Sequence, residues 1–280
     1  MRSLFKRHVA LPQDHGSWVF ILSPLLIGIF EGGTVRNSTL YLVIAAMSAF
    51  LMRQPLTVTV KALSGRRPAA DLPAARFWVL VYGLISAAAL IGIILEGFGY
   101  VLYLAVPGAP VFAWHLWLVS KRAERRQAGV EVIATGVLAL TAPAAYWVGR
   151  GEYDPIGWWL WSLCWLQSAA SIVYAYLRLG QRELSPDQAQ VRTRGDWIRM
   201  GARALTYTSF NLLFSAISGF ASLIPPLIFI PFLLQWLETV WGVINPAIGW
   251  KPTRVGVRQL IVSIIWTVLF IAFWSQPWTK

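Results

Sequence analysis

Polar side chains recur at helical spacing within several long apolar stretches of the sequence. Gln167, Ser171, Tyr174 and Arg178 follow one another at steps of four, three and four residues, which places them on one helix face. Three more sets share a face in the same way: Arg53, Thr57 and Lys61; Thr208, Asn211, Ser215 and Ser218; and Gln235, Glu238 and Asn245. Polar groups in an apolar medium face one another or a water-filled cavity. The pattern predicts a polar cavity.

The charges of these sets indicate an anionic ligand. Arg53, Arg178 and Glu238 together leave net positive charge, and guanidinium groups bind phosphate or carboxylate through paired hydrogen bonds. We predict ligand contacts at the following positions: Arg53, Lys61, Gln167, Tyr174, Arg178, Asn211, Gln235 and Glu238. Because a lone buried charge is costly, Glu238 is expected to pair with Arg53 or Arg178.

Structural explanations compete with ligand binding at some of these positions. The set that contains Asn211 is also typical of hydrogen bonds that join membrane helices. Arg178 at a helix end is also typical of a side chain that extends to the membrane surface. Arg53 lies deep in its helix if the helix continues to Val60, and at the interface if Pro55 ends the helix.

A second polar group precedes the first apolar stretch, in the segment 11–18. Asp14 is a candidate N-cap for the helix that follows. Asp14 beside His15 is also a candidate proton-handling pair, so both are counted among the predicted binding residues.

The apolar stretches themselves predict membrane helices. Of 280 residues, 57% are hydrophobic and 13% charged, against roughly a quarter charged in soluble domains. Crossing ~30 Å of hydrocarbon takes about 20 apolar residues. We predict a single all-α domain over residues 1–280, a polytopic membrane bundle of about nine transmembrane helices. The predicted spans are 16–33, 40–60, 77–95, 99–118, 129–149, 158–178, 204–222, 224–243 and 259–276. The division of 204–243 depends on Ser222 and the pair Pro225-Pro226.

The distribution of Lys and Arg predicts the orientation. With these spans, all but Arg36, Arg150 and Lys280 of the 24 basic residues fall on the side of the N-terminus. Cytosolic loops are enriched in Lys and Arg, so we expect a cytosolic N-terminus and a non-cytosolic C-terminus in a bacterial inner membrane. Basic clusters in short loops, rather than on one face of a soluble domain, exclude nucleic acid as the partner and leave the lipid bilayer. The sequence shows no His, Cys, Asp and Glu spacing of a metal site, so no metal or cofactor is expected.

Two segments resemble a known family. The segment 12–18, Pro-Gln-Asp-His-Gly-Ser-Trp, resembles the P-[KQ]-[ED]-H-G-[AS]-W opening of the YwiC-like family of bacterial membrane proteins. The segment 50–56, Phe-Leu-Met-Arg-Gln-Pro-Leu, resembles the F-L-x-R-x-P-L segment of that family. The resemblance implies an integral membrane protein of bacteria.

The predicted topology is also similar to that of the UbiA prenyltransferase superfamily. Those enzymes hold a prenyl diphosphate through Mg²⁺ on two aspartate-rich motifs after the second and sixth helices. The corresponding segments here, 53–61 and 174–178, contain no acidic residue, although Mg²⁺ needs clustered carboxylates. The similarity implies the arrangement of the helices. The missing acidic residues argue against Mg²⁺-dependent prenyl transfer.

Three functions remain compatible with the sequence. The first is a non-enzymatic protein that binds or transports an anionic or amphipathic small molecule in a cytosol-facing basic cavity. The second is a UbiA-like membrane enzyme that acts on a lipid or prenyl phosphate. The third is a structural subunit that packs against other membrane subunits. The missing acidic motifs favour the first.

Overall fold

The structure, a computed structural model, describes residues 4–12, 15–121 and 127–276. These residues form helices and no strand. The twelve α-helices are α1 (Arg7–Ala10), α2 (Val19–Gly32), α3 (Asn37–Leu63), α4 (Leu72–Leu95), α5 (Gly108–Ser120), α6 (Ala128–Ala139), α7 (Thr141–Arg150), α8 (Ile156–Arg182), α9 (Pro186–Gln190), α10 (Arg194–Phe220), α11 (Phe229–Ile244) and α12 (Pro252–Trp274). Short 3₁₀ turns precede α2, α4, α5 and α11.

The nine predicted spans coincide with helical segments, and the span 129–149 covers both α6 and α7. Six segments are long and apolar enough to cross a membrane: Asn37–Leu63, Ala69–Leu95, Gly99–Ser120, Ala128–Arg150, Pro226–Ile244 and Pro252–Trp274. Gly16–Gly32 is apolar but shorter. Large apolar side chains face outward, such as Leu84 at 62% exposure and Leu213 at 60%, as lipid-facing positions do. The prediction of an all-α polytopic membrane bundle is confirmed, while membrane crossing by the span 16–33, by α8 and by α10 stays a prediction.

Neighbouring helices pair as hairpins around a common core. α3 packs along α4, α10 along α11, and α8 lies between α6, α7, α10 and α12. The predicted break in 204–243 is present, because α10 ends at Phe220 and α11 begins at Phe229. Ser222 turns the chain with a φ of 57°, in the left-handed region. The core contains the fully buried rings of Phe232, Trp266 and Phe270.

Pro55 does not end its helix. α3 continues to Leu63, and Thr57 and Thr59 donate side-chain hydrogen bonds to the carbonyl oxygens of Arg53 and Pro55, at 2.8 and 2.9 Å. Of the two alternatives for Arg53, the structure therefore shows a position inside a continuous helix.

The short helix α1 lies across α3 and α4. Val9 is fully buried there beside Val58 and Ala74. Lys6 forms an ion pair with Asp71 at 2.8 Å. Three further bonds use main-chain carbonyl oxygens of the N-terminal segment: Gln54 donates to His8, Trp78 to Leu4 and Tyr82 to Ala10, at 3.0 to 3.1 Å. Contacts from residues 54 to 82 thus fix the N-terminal segment.

Candidate functional site

The polar stripe of α8 lies in the bundle interior, as its spacing predicts. Gln167, Tyr174 and Arg178 are 4%, 5% and 1% exposed. Their hydrogen-bond partners lie mostly on α11, with α12 completing the enclosure. The stripe divides into an apical part around Gln167 and a basal part around Arg178.

The apical part joins four helices by amide hydrogen bonds. Gln235 donates to the carbonyl oxygen of Gln167 at 2.9 Å and to Oγ of Ser171 at 3.0 Å. Gln259 of α12 donates to the carbonyl oxygen of Ser171 at 3.2 Å, and Asn211 of α10 to that of Leu166 at 2.8 Å. These contacts match hydrogen bonding between helices, the structural alternative for Asn211.

Arg178 binds the end of a neighbouring helix. Its Nη1 lies 2.7 Å from the carbonyl oxygens of both Gly242 and Asn245, and 2.9 Å from Oε1 of Gln181. The last carbonyls of α11 have no partners within the helix and carry partial negative charge, which a guanidinium group satisfies. The guanidinium group lies 5.3 Å from the ring of Trp241 and 4.8 Å from that of Trp250. Arg178 therefore points neither to lipid headgroups nor into an open cavity.

The partner of Glu238 is Arg258 of α12, so the expected pairing with Arg53 or Arg178 is wrong. Nε and Nη2 of Arg258 donate to the two carboxylate oxygens at 2.6 and 2.7 Å. Tyr174 donates its hydroxyl to the same carboxylate at 2.8 Å. The Glu238 side chain is 10% exposed and that of Arg258 37%. Such a paired geometry is the strongest form of a charge-assisted contact.

Arg254 and Arg258 line a groove that the sequence analysis missed. The groove measures about 400 Å³ and is lined by Trp250, Arg254, Val257, Arg258, Ile261 and Val262. The Arg258 guanidinium lies 3.6 Å from the Trp241 ring centre, and that of Arg254 lies 4.0 Å from Trp250. Stacking of this kind holds arginines against aromatic faces. We call this concavity the arginine–tryptophan groove.

The sequence itself indicates that Arg254 and Arg258 belong to a helix. The predicted span 259–276 leaves Arg254 and Arg258 in the preceding loop, whereas α12 begins at Pro252. Pro252 is favoured at a first helical position, and residues four apart share a helix face. Together they indicate that α12 begins before both arginines and presents them side by side.

Arg53 and Lys61 lie in a different part of the bundle. Both are on α3, which packs against α1, α2, α4, α5 and α7. The Arg53 guanidinium lies 5.4 Å from the Phe50 ring, and Phe50 contacts Trp18 at 5.3 Å between ring centres. The predicted residues therefore form two groups rather than one cavity. Asp14 and the side chain of His15 lie outside the described residues. Within the described part of the chain, no three His, Cys, Asp or Glu side chains are placed to hold a metal.

Comparison with known proteins finds one family. Residues 11–146 match the model of the family described as YwiC-like protein. The chain is 25% identical over 163 residues to "Uncharacterized protein YwiC" of Bacillus subtilis (strain 168). That alignment covers 57% of this chain and 61% of the relative, so the chain spans less than two thirds of the relative's length. No solved structure matches, and the similarity to UbiA enzymes stays a prediction.

The family match contains both quoted sequence segments. It runs from before α2 to α7, and it includes Trp18, Phe50 and Arg53 but not Arg178, Glu238 or Arg258. The rings of Trp18 in the segment 12–18 and Phe50 in the segment 50–56 are in contact, so the two segments that resemble the family meet in space. The match over residues 11–146, just under half of the 280-residue chain, supports assignment to the YwiC-like family.

Proposed function

We propose that this membrane protein binds an anionic, amphipathic small molecule in the arginine–tryptophan groove, at the cytosolic face of a bacterial inner membrane. The observation that carries the proposal is Arg258, which is held by both oxygens of Glu238 and by the Trp241 ring while it lines the groove. An arginine fixed in this way loses little further freedom when an anion binds, which favours affinity.

The net positive charge around the groove favours binding of an anionic group. Arg178, Arg182, Arg254 and Arg258 lie within this region, since Arg182 donates to the carbonyl oxygen of Trp250 at 2.9 Å. Of these four arginines, Arg258 forms the ion pair with Glu238. The groove also lies at the first turns of α12, where the free N–H groups of a helix attract negative charge.

The remaining residues that line the groove are apolar and favour a ligand with an apolar tail. Val257 lies between the two arginines, and Ile261 and Val262 continue the groove along α12 beyond them. Ile261 is 52% exposed, and the next outward positions, Ile264 and Ile265, are 52% and 43% exposed. An acyl or prenyl chain whose head binds Arg254 and Arg258 would therefore continue over an apolar helix face.

Binding of dodecyl phosphate to the protein in nanodiscs tests the proposal. We expect Arg254→Ala to weaken binding about tenfold, or about 1.4 kcal/mol, because one charge-assisted contact is lost. Arg254 is exposed and is the better variant, because Arg258→Ala also breaks the pair with Glu238. Arg203→Ala, which removes an exposed arginine of α10, is the matched control and should bind normally.

Two results would contradict the proposal. One is equal binding by wild type and Arg254→Ala. The other is equal binding of dodecyl phosphate and dodecyltrimethylammonium, which shares the tail but carries the opposite charge. Uptake of radiolabelled dodecyl phosphate into proteoliposomes by wild type but not by Arg254→Ala would extend the function from binding to transport.

A further inference from the structure

A second concavity lies at the opposite end of the bundle. It measures about 760 Å³ and is lined by Val35, Arg36, Asn37, Glu96, Phe98, Arg150, Gly151 and Glu152. The arginine–tryptophan groove lies at the start of α12, a helix of 23 residues and about 34 Å. Ser275, just after α12, bonds Glu31 at the end of α2, shortly before Arg36. We call this second concavity the distal cleft.

The helix ends around the distal cleft make one part of it positive and another part negative. α3 and α4 are antiparallel, since Tyr41 packs against Gly92 near one end and Met52 against Gly83 further along. Arg36 directly precedes α3, and its charge adds to the positive end of that helix. Glu96 directly follows α4, where its charge adds to the negative helix end. A carboxylate is unfavourable at that position unless a cation is bound beside it.

The four charged side chains of the cleft do not neutralise one another. Among the described residues, no ion pair within 4.0 Å joins Arg36 or Arg150 to Glu96 or Glu152. Gly151 leaves room for the Arg36 side chain, because Nη2 of Arg36 lies 3.2 Å from the position where a Cβ of residue 151 would stand. The φ of Gly151 is 87°, which further favours glycine there. The arrangement keeps both charge types available to a ligand.

We propose that the distal cleft binds a zwitterion, a molecule with an ammonium group and a phosphate or carboxylate group. The anionic group binds between Arg36, Arg150 and the first N–H groups of α3. The ammonium group binds between Glu96 and Glu152. Phe98, which is 8% exposed, forms the apolar side of the cleft. The zwitterion is either a small solute or the headgroup of phosphatidylethanolamine.

Calorimetric titration of the protein in phosphatidylglycerol nanodiscs tests this site. The probes are O-phosphoethanolamine and γ-aminobutyrate, with ethanolamine and methyl phosphate as single-charge controls. We expect at least one zwitterion to bind about tenfold more tightly than either control, because it contacts the arginines and the glutamates at the same time. Glu96→Gln and Arg36→Gln should each remove this preference. Asp187→Asn, an exposed carboxylate of α9, should leave it unchanged.

Native mass spectrometry in mixed nanodiscs distinguishes the two sources. Retained phosphatidylethanolamine that is lost in Glu96→Gln identifies the headgroup, whereas binding of the free zwitterions alone identifies a solute. The proposal is wrong if the single-charge compounds bind as well as the zwitterions. It is also wrong if no zwitterion and no phosphatidylethanolamine binds, or if Glu96→Gln and Arg36→Gln bind like wild type.

Discussion

Arg258 contacts three chemically different groups at once. Its guanidinium edge binds the Glu238 carboxylate, its face lies on Trp241, and its outer side lines the arginine–tryptophan groove. Burial of a charge pair costs several kcal/mol per ion, and the mutual attraction of the pair offsets this cost only in good geometry. At this position the 37% exposure of Arg258 and the Tyr174 hydroxyl both reduce the cost.

Glu238→Gln should lower the free energy of unfolding by about 2 kcal/mol. Removal of one partner of a fully buried pair costs about 3–5 kcal/mol, and the exposure of Arg258 reduces that value. Chemical denaturation of the purified protein in detergent measures the change. Tyr174→Phe, which removes a hydrogen bond and leaves the ion pair, should cost about 1 kcal/mol.

A double variant separates the ion pair from general disruption. In Glu238→Gln, Arg258→Gln no unpaired charge remains, so this protein should be more stable than Glu238→Gln alone. If Glu238→Gln unfolds like wild type, the pair contributes nothing to stability, and Arg258 is not held by it.

At the scale of elements, α2 and α7 approach most closely through small residues. A Cβ on Gly28 would overlap the carbonyl oxygen of Ala142 and lie 2.8 Å from the Cβ of Ala145. A Cβ on Gly32 would lie 3.0 Å from the Cα of Gly149. Small residues at such a contact allow two membrane helices to pack backbone to backbone. This contact supports the side of the bundle on which the distal cleft is built, because Arg150 ends α7.

Gly28→Ala should destabilise the protein by about 1–3 kcal/mol, the usual cost of an added methyl group in a filled interface. The midpoint of thermal unfolding in detergent measures this effect. Gly83→Ala is the matched control in the middle of α4, where the nearest atom, Sδ of Met52, lies 3.9 Å from the new Cβ. Because alanine favours a helix over glycine, the control should be neutral or stabilising by up to about 1 kcal/mol. Equal loss in both variants would contradict close packing of α2 on α7.

The faces of the helices could be predicted from the sequence, but their neighbours could not. The spacing of Gln167, Tyr174 and Arg178 predicts one buried face of α8, which the structure shows. The contact between Glu238 and Arg258 depends on the rotation and tilt of α11 against α12, and no local pattern contains that information. The separation of Arg53 on α3 from Arg178 on α8 could not be predicted for the same reason, since shared depth in a membrane does not make two helices neighbours.

At the scale of the whole molecule, the charges predict the orientation of the bundle. A reporter fused after Lys280 should be active on the non-cytosolic side, and one inserted near Glu124 should report the cytosol. Cysteine labelling of single-cysteine variants at positions 36 and 254 is an independent check of the orientation. A cytosolic C-terminus would mean that one predicted span does not cross.

The positions of the apolar helical segments were predictable because a membrane sets their length. About 20 apolar residues per crossing locate the segments, and Pro225-Pro226 locates the turn between α10 and α11. The two concavities were not predictable in the same way. Each consists of side chains from positions far apart in sequence, such as Arg36, Glu96 and Arg150 in the distal cleft.

The attachment of α1 has a consequence for synthesis of the chain. The carbonyl groups of Leu4, His8 and Ala10 leave the ribosome early, whereas their donors Trp78, Gln54 and Tyr82 are translated later. At typical rates of about 5–20 residues per second, translation of residues 11–82 takes roughly 4–14 seconds. During that interval water must hydrate these carbonyl groups, and Lys6 has no Asp71 to pair with. The amino terminus is therefore made first and reaches its final position only after the third apolar segment has been synthesised.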